Sequence, residues 1–366
     1  MALQATLHKK TFQFSFDART SRGAMRERVC WFIKVCDEAA PATVGVGECA
    51  PLPGLSPELK DDWEVELAAT VAKFNQAAWQ LNDLPIDLQD MSRLLQRRLP
   101  EAVRVSSLCF ALETALLDLA QGGHKKIVAS PFLEGQAIPI NGLIWMGGLD
   151  YMLQQIEIKI RDGYRCIKLK VGGLDFEKEC DVLQYVRRKY FREDITIRLD
   201  ANGAFKAEDA LYKLHELARF NIHSIEQPLK TGSDFLPELC AKSPIPVALD
   251  EELIGVQGSD KALLLNEVKP PFIILKPSLH GGLASCHEWI ALAEQRQTGW
   301  WITSALESNI GLNAIAQFTA QYSVALPQGL GTGQIYENNF TSPLEVSHNG
   351  LLSYDPRGAW EVMLDT

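Results

Sequence analysis

Five short apolar stretches each end on a charge: Cys166-Ile167-Lys168-Leu169-Lys170, Thr196-Ile197-Arg198-Leu199-Asp200, Ser224-Ile225-Glu226, Ala248-Leu249-Asp250 and Ile274-Leu275-Lys276. Side chains along a strand point alternately to opposite faces, so Lys168 shares a face with Lys170, and Arg198 with Asp200. If every terminal residue points inward, Lys170, Asp200, Glu226, Asp250 and Lys276 form one ring. A lone strand-end carboxylate or lysine usually caps a turn or meets water. Five in succession concentrate charge that a metal ion or substrate must balance. The three carboxylates are hard oxygen donors of the kind that suits Mg²⁺.

The same rhythm extends on both sides of these stretches. Strand candidates fall at 138–144, 166–171, 195–200, 223–226, 246–250, 272–276 and 300–304, with a short eighth near 325–328. Helical spacing fills the gaps at 176–190, 207–220, 258–268, 282–296 and 310–322. Alternating strands and helices imply a parallel sheet, and eight strands at this spacing fit a barrel. Catalytic groups of such barrels stand at the C-terminal strand ends, where the five charges fall. No helical pattern follows the eighth strand.

The first third reads differently. A strand is expected at 29–35, a turn-rich stretch at 49–57, and helices at 63–81 and 103–121, the second stopped by Gly122 and Gly123. The expected organisation is an α+β domain over 1–130, a barrel over 131–330, and a segment over 331–366 that returns to the first domain.

Composition excludes several classes. A net charge of -10 leaves no basic footprint for nucleic acid. The 8 cysteines form no C-x-x-C pair and read as small hydrophobes of a reducing compartment. The N-terminal stretch lacks a signal peptide's continuous apolar core, and no run of about 18 apolar residues spans a membrane. A cytoplasmic protein is expected. His280 and His287 lack metal-ligand spacing and read as structural. Gly281-Gly282 opens a helix, which suits either an anion or tight packing.

Lys168-x-Lys170, Asp200-Ala201-Asn202, Glu226-Gln227-Pro228, Asp250-Glu251 and Lys276-Pro277 together resemble the enolase superfamily, in its muconate-lactonizing-enzyme subgroup. Within it, the segments from Gly47 to Gly54, Ile302 to Ser308 and Gly329 to Thr332 resemble the o-succinylbenzoate synthases. The resemblance spans nearly the whole chain. It implies an α/β fold, a (β/α)7β TIM-like barrel with an α+β capping domain.

It also implies Mg²⁺, replaceable by Mn²⁺, on Asp200, Glu226 and Asp250. Lys170 is then the base, Lys276 the opposed cation, and Lys168 a third catalytic lysine. Substrate contacts are implied at Arg198, Asn202, Ser304, Gly54, Arg22 and Gly329, with lid loops at 19–23 and 52–55. The substrate is a small carboxylate. The implied reaction dehydrates 2-succinyl-6-hydroxy-2,4-cyclohexadiene-1-carboxylate to o-succinylbenzoate in menaquinone biosynthesis. The same lysine pair serves N-acylamino acid racemases and dipeptide epimerases. The eighth strand lacks the Asp-x-Asp that would favour a dipeptide epimerase. The residues leave oligomeric state open.

Overall fold

Alternating apolar residues from Leu3 onward build a long antiparallel ribbon. In the computed structural model, which describes residues 2–20 and 23–364, β1 (Leu3–Thr20) pairs with β2 (Gly23–Asp37), and β2 pairs with β3 (Ala40–Cys49). The sequence expectation of a strand at 29–35 caught only the buried middle of β2. Its N-terminal flank, Gly23 to Glu27, is mostly exposed and lacks an apolar signature.

Helices α1 (Trp63–Gln76), α2 (Leu88–Arg98), α3 (Pro100–Val103) and α4 (Ser106–Ala120) follow. Asp87 caps α2 by accepting from the Asp90 amide at 3.0 Å, and Arg97 and Arg98 complement its C-terminal dipole. The helix expected over 63–81 ends earlier, where Ala78 adopts φ 47°. Helix α4 lies directly on β3. A Cβ on Gly47 would overlap the Ala111 carbonyl, and one on Gly45 the Ala115 carbonyl, so glycine at both positions permits the close approach.

The barrel begins after β4 (Ile138–Pro139). Its units are β5 (Gly142–Ile144), α5 (Leu149–Arg161), β6 (Cys166–Lys170), α6 (Phe176–Lys189), β7 (Thr196–Asp200), α7 (Ala207–Ala218) and β8 (Ser224–Glu226). They continue through α8 (Leu236–Lys242), β9 (Val247–Leu249), α9 (Asp260–Val268), β10 (Phe272–Leu275), α10 (Gly282–Glu294), β11 (Gly299–Ile302) and α11 (Asn309–Thr319). Seven parallel strands run in chain order from β5 to β11.

The eighth staves differ from expectation. Residues 325–327 form no strand. Only Gln328 and Gly329 bridge, to Ile140 and Thr303 respectively. Four backbone hydrogen bonds close the ring there, including Gln328 N to Pro139 O at 2.7 Å and Gly329 N to Ile302 O at 2.8 Å. Pro327 has no N–H to extend the ladder.

Among the described residues no α-helix follows. The chain instead runs along β1, with Glu337 N donating to Gln13 O at 2.9 Å and Tyr336 and Phe340 packing on Phe12. It ends in β12 (Leu344–Ser347) and β13 (Leu351–Tyr354), which pair with each other, β13 also pairing with β4. No helix among the described residues is long and apolar enough to cross a membrane.

Two buried carboxylates join the N-terminal layer to the barrel. Glu113 of α4 accepts from Leu283 N at 2.6 Å and Ala284 N at 3.4 Å, filling the N-terminus of α10. Glu48 at the end of β3 accepts from Ser308 N at 2.8 Å and Gly311 N at 2.9 Å, filling that of α11. Helix N-termini carry partial positive charge, so each carboxylate meets a complementary dipole. The group that Gly281-Gly282 receives is therefore the protein's own carboxyl: a Cβ on Gly282 would overlap Glu113.

Candidate active site

Strand register sets the ring. Lys170 lies beside Asp200, and Asp200 beside Glu226. Asp250 follows β9 and Lys276 follows β10. All five residues are at least nine-tenths buried.

The three lysines lace the carboxylates together. Lys168 pairs with Asp200 at 3.0 Å and also with Glu226. Lys170 donates to Asp200 Oδ2 at 2.9 Å and Asn202 Oδ1 at 2.8 Å. Lys276 pairs with Asp250 and lies 3.7 Å from Glu226. Lys170 and Lys276 therefore reach the carboxylates from opposite ends of the arc.

Burial works against charge on Lys168 and Lys276, but the surrounding carboxylates outweigh it and hold both pKa values above the ordinary lysine value. Asp200 is likewise opposed by burial, yet its lysine neighbours hold it below the carboxylate range. Glu226 and Asp250 go the other way. Burial dominates both, and Asp200 further raises Glu226.

The backbone around the ring is fixed by side chains. Asn202 and Gln227 adopt φ 44° and 37°. Asn202 Nδ2 donates to Glu251 at 3.0 Å, and Gln227 Oε1 accepts from Asp250 N at 3.2 Å. His280 Nδ1 accepts from Lys276 N at 3.0 Å. Burial pushes the His280 pKa down to about 3, so the ring stays neutral behind Lys276.

The carboxylates fit a hard cation. Every donor is oxygen, and Glu226 Oε1 and Asp250 Oδ1 are buried without a hydrogen-bond donor. Among the described residues no three such groups form a closed ligand set. The ammonium groups of Lys168 and Lys276 stand between them.

A mouth of about 210 Å³ opens over the ring, lined by Lys168, Lys170, Asp200, Asn202 and Lys276 below and by Pro53 and Leu55 above. A side chamber of about 340 Å³ adjoins it and shares Leu143, Trp145, Lys168, Thr303, Ser304 and Leu306.

The residues expected to contact substrate divide. Asn202 lines the mouth, Ser304 lines both spaces, and Gly329 lines the side chamber. Ser304 Oγ is 2.7 Å from Thr332 Oγ1. Gly54, at φ 77°, turns the loop that carries Pro53 and Leu55 over the mouth. Arg198 stands apart. Its guanidinium lies 4.1 Å over the Trp301 ring and donates to Pro327 O at 2.7 Å, and it lines neither space. Arg22 and Ser21 lie outside the described residues, while Gly23 and Ala24 beside them line the mouth.

Sequence reading missed Leu143, Trp145 and Leu306. The first two could have been found by asking of β5 what was asked of the five charged strands, since they stand at its C-terminal end. Leu306, at φ 66°, carries no such signal.

The chain matches the family described as Enolase C-terminal domain-like over residues 151–355. It is 42% identical to an o-succinylbenzoate synthase of Desulfotalea psychrophila, across 96% of this chain and 98% of that protein. The crystal structure of MenC from Desulfotalea psychrophila superposes with a TM-score of 0.86 at 39% identity, covering 96% of this chain and 100% of that one. A dipeptide epimerase from Cytophaga hutchinsonii, solved with Mg and D-Ala-L-Val, shares the fold at a TM-score of 0.79 and 21% identity, covering 99% of this chain and 96% of its own. With a ring of strand-end carboxylates and lysines, a barrel closed by a two-residue stave and relatives aligned over nearly its full length, the chain belongs to the enolase superfamily and is similar to its o-succinylbenzoate synthases.

Proposed function

We propose that this protein is a Mg²⁺-dependent o-succinylbenzoate synthase, removing water from 2-succinyl-6-hydroxy-2,4-cyclohexadiene-1-carboxylate. The observation that carries the reading is the opposed pair Lys170 and Lys276 around three buried carboxylates, in a chain so similar to a named synthase.

Asp200, Glu226 and Asp250 would hold the ion, which supplies positive charge to the substrate carboxylate as charge builds there. Lys170, as the free amine, takes the proton α to that carboxylate. The released electron pair is first shared with the substrate carboxylate, and then forms the new ring double bond as the carbon–oxygen bond breaks. The Lys170 ammonium then returns its proton to the departing hydroxyl, which leaves as water. Lys276 remains a cation on the opposite side, where Asp250 holds it, and opposes the negative charge of the intermediate. Asn202 orients Lys170 through a 2.8 Å hydrogen bond. The loop of Pro53 and Leu55 limits water above the site. We place the enzyme in the cytoplasm, in keeping with its free cysteines.

The test is loss of the cyclohexadiene absorbance with purified protein. Conversion to o-succinylbenzoate with Mg²⁺, its loss with EDTA and its return with excess Mg²⁺ are expected. Mn²⁺ in the last step tests the substitution. No conversion by folded, Mg²⁺-loaded protein rejects the reading. Opposed lysines also suit proton removal on one face and return on the other, as in an N-acylamino acid racemase. Deuterium uptake from solvent at the α-carbon of an N-succinyl amino acid tests that second activity.

A further inference from the structure

The side chamber lies where, among the described residues, no final helix follows the barrel. After Gly329 the chain turns away along 331–335, leaving an opening between that segment and α5. Among the polar groups that line it and that the mechanism above does not use are Lys159, Tyr164 and Asn141.

Lys159, on α5, is half-buried. Its aliphatic stem lies against the strand at Gly142, where a Cβ would stand 3.2 Å from three of its carbons. Its ammonium lies 4.7 Å from the Tyr164 ring, and among the described residues it makes no ion pair. Burial lowers its pKa, against a smaller opposing effect of Asp162, so an arriving anion would stabilise its charge. Tyr164 and Asn141 are each only 5% exposed. Neither side chain has a hydrogen-bond partner among the described residues. Here an ammonium, a phenol and an amide, all donors, face one space.

We propose that the side chamber is the subsite for the distal carboxylate of a dicarboxylic substrate, with Lys159 as its counter-charge and Tyr164 and Asn141 as hydrogen-bond donors. The assignment rests on the function proposed above. The chamber and the mouth share Leu143, Trp145, Lys168, Thr303, Ser304 and Leu306, so one ligand can hold a carboxylate at the arc and extend an arm past Lys168. A volume of about 340 Å³ accepts a succinyl chain as well as its terminal carboxylate.

Isothermal titration of the Mg²⁺-loaded full chain with o-succinylbenzoate and with benzoate, which lacks the arm, tests this. The wild type is expected to bind the dicarboxylate more tightly. Lys159→Met should weaken o-succinylbenzoate by about tenfold or more, as for loss of a charged hydrogen-bond partner, and leave benzoate unchanged. Lys159→Arg, which keeps the charge, should hold affinity within about threefold of wild type, and it also guards against misfolding of the first variant. Equal losses for both ligands, or none, overturn the assignment. So does a wild type that binds both ligands alike. In that case, retained turnover of the cyclohexadiene shows that the chamber alone was misassigned, and absent turnover shows that the function was.

Discussion

On one side of the barrel, β6 to β10 deliver Lys170, Asp200, Glu226, Asp250 and Lys276 to a common level, fixed by parallel register and laced by ion pairs. On the other side, β11, the bridge at 328–329 and β5 meet through isolated bridges and backbone turns, and the lining is mostly neutral. The charged arc is built from regular strands, the seam from irregular chain. Proton transfer needs groups held within tenths of an ångström, and strands supply that rigidity. Selecting a substrate needs shape, which loops and short bridges can supply without disturbing the arc. The two halves should therefore fail differently when altered.

The largest expected effect is in the arc. Lys170→Ala removes the proposed base while leaving Asp200, Glu226 and Asp250 in place. Turnover should fall by about 10²–10⁴-fold, the range for a positioned general base. Mg²⁺ affinity, measured by titration, should stay within about threefold of wild type, because Lys170 touches only Asp200 among the carboxylates. Near-normal turnover would move the base elsewhere. A collapse of Mg²⁺ affinity would mean that the lysines and carboxylates are one unit, and chemistry could not be separated from metal binding.

The next effect concerns what braces the arc. Helix α10 follows β10, and Glu113 fills its N-terminus. Burial pushes the Glu113 carboxyl up from 4.5 to about 8, against the hydrogen bonds from Leu283 and Ala284. The folded protein thus binds this proton more tightly than the unfolded chain. The stability it contributes is complete below the unfolded value and is lost as pH rises through the folded one, a loss of a few kcal/mol at most. Thermal midpoints should decline from about pH 5 to about pH 8 more steeply in wild type than in Glu113→Gln, which cannot ionise. Parallel midpoint curves for the two proteins would show that Glu113 is ionised throughout and held by the helix dipole instead.

The contrast between the halves also explains what the sequence could tell. The arc was legible because each strand is a short apolar run ending on a charge, and alternation assigns those charges to one face. Alternation does not assign depth. Arg198 shares the face of Asp200, yet it pairs across with Lys168 one pleat lower, where Trp301 and the Pro327 carbonyl capture its guanidinium. The seam was illegible for a related reason. Its stave is two residues long, overlapping the expected 325–328 only at Gln328, and it is held by backbone groups that every residue carries. Leu306 adopts a left-handed conformation that Leu rarely visits. Tyr336 Oη donating to its carbonyl at 2.6 Å holds it there from 30 residues away, a contact that no local pattern encodes.

The smallest expected effect tests the seam itself. Ser304 lines both the mouth and the side chamber, and its hydroxyl is 2.7 Å from that of Thr332. As a substrate contact the Ser304 hydroxyl is worth about 1 kcal/mol, or roughly fivefold in an equilibrium constant, and Ser304→Ala deletes it. That loss should fall on KM, which should rise about three- to tenfold. The value of kcat should change by less than about twofold, since a uniform binding contact is lost and no contact special to the transition state. Mg²⁺ affinity should not move. If kcat falls more than KM rises, Ser304 acts on the reacting atoms and the seam takes part in the chemistry. If neither moves, the Ser304–Thr332 pair is internal to the wall, and selectivity must come from groups deeper in the chamber.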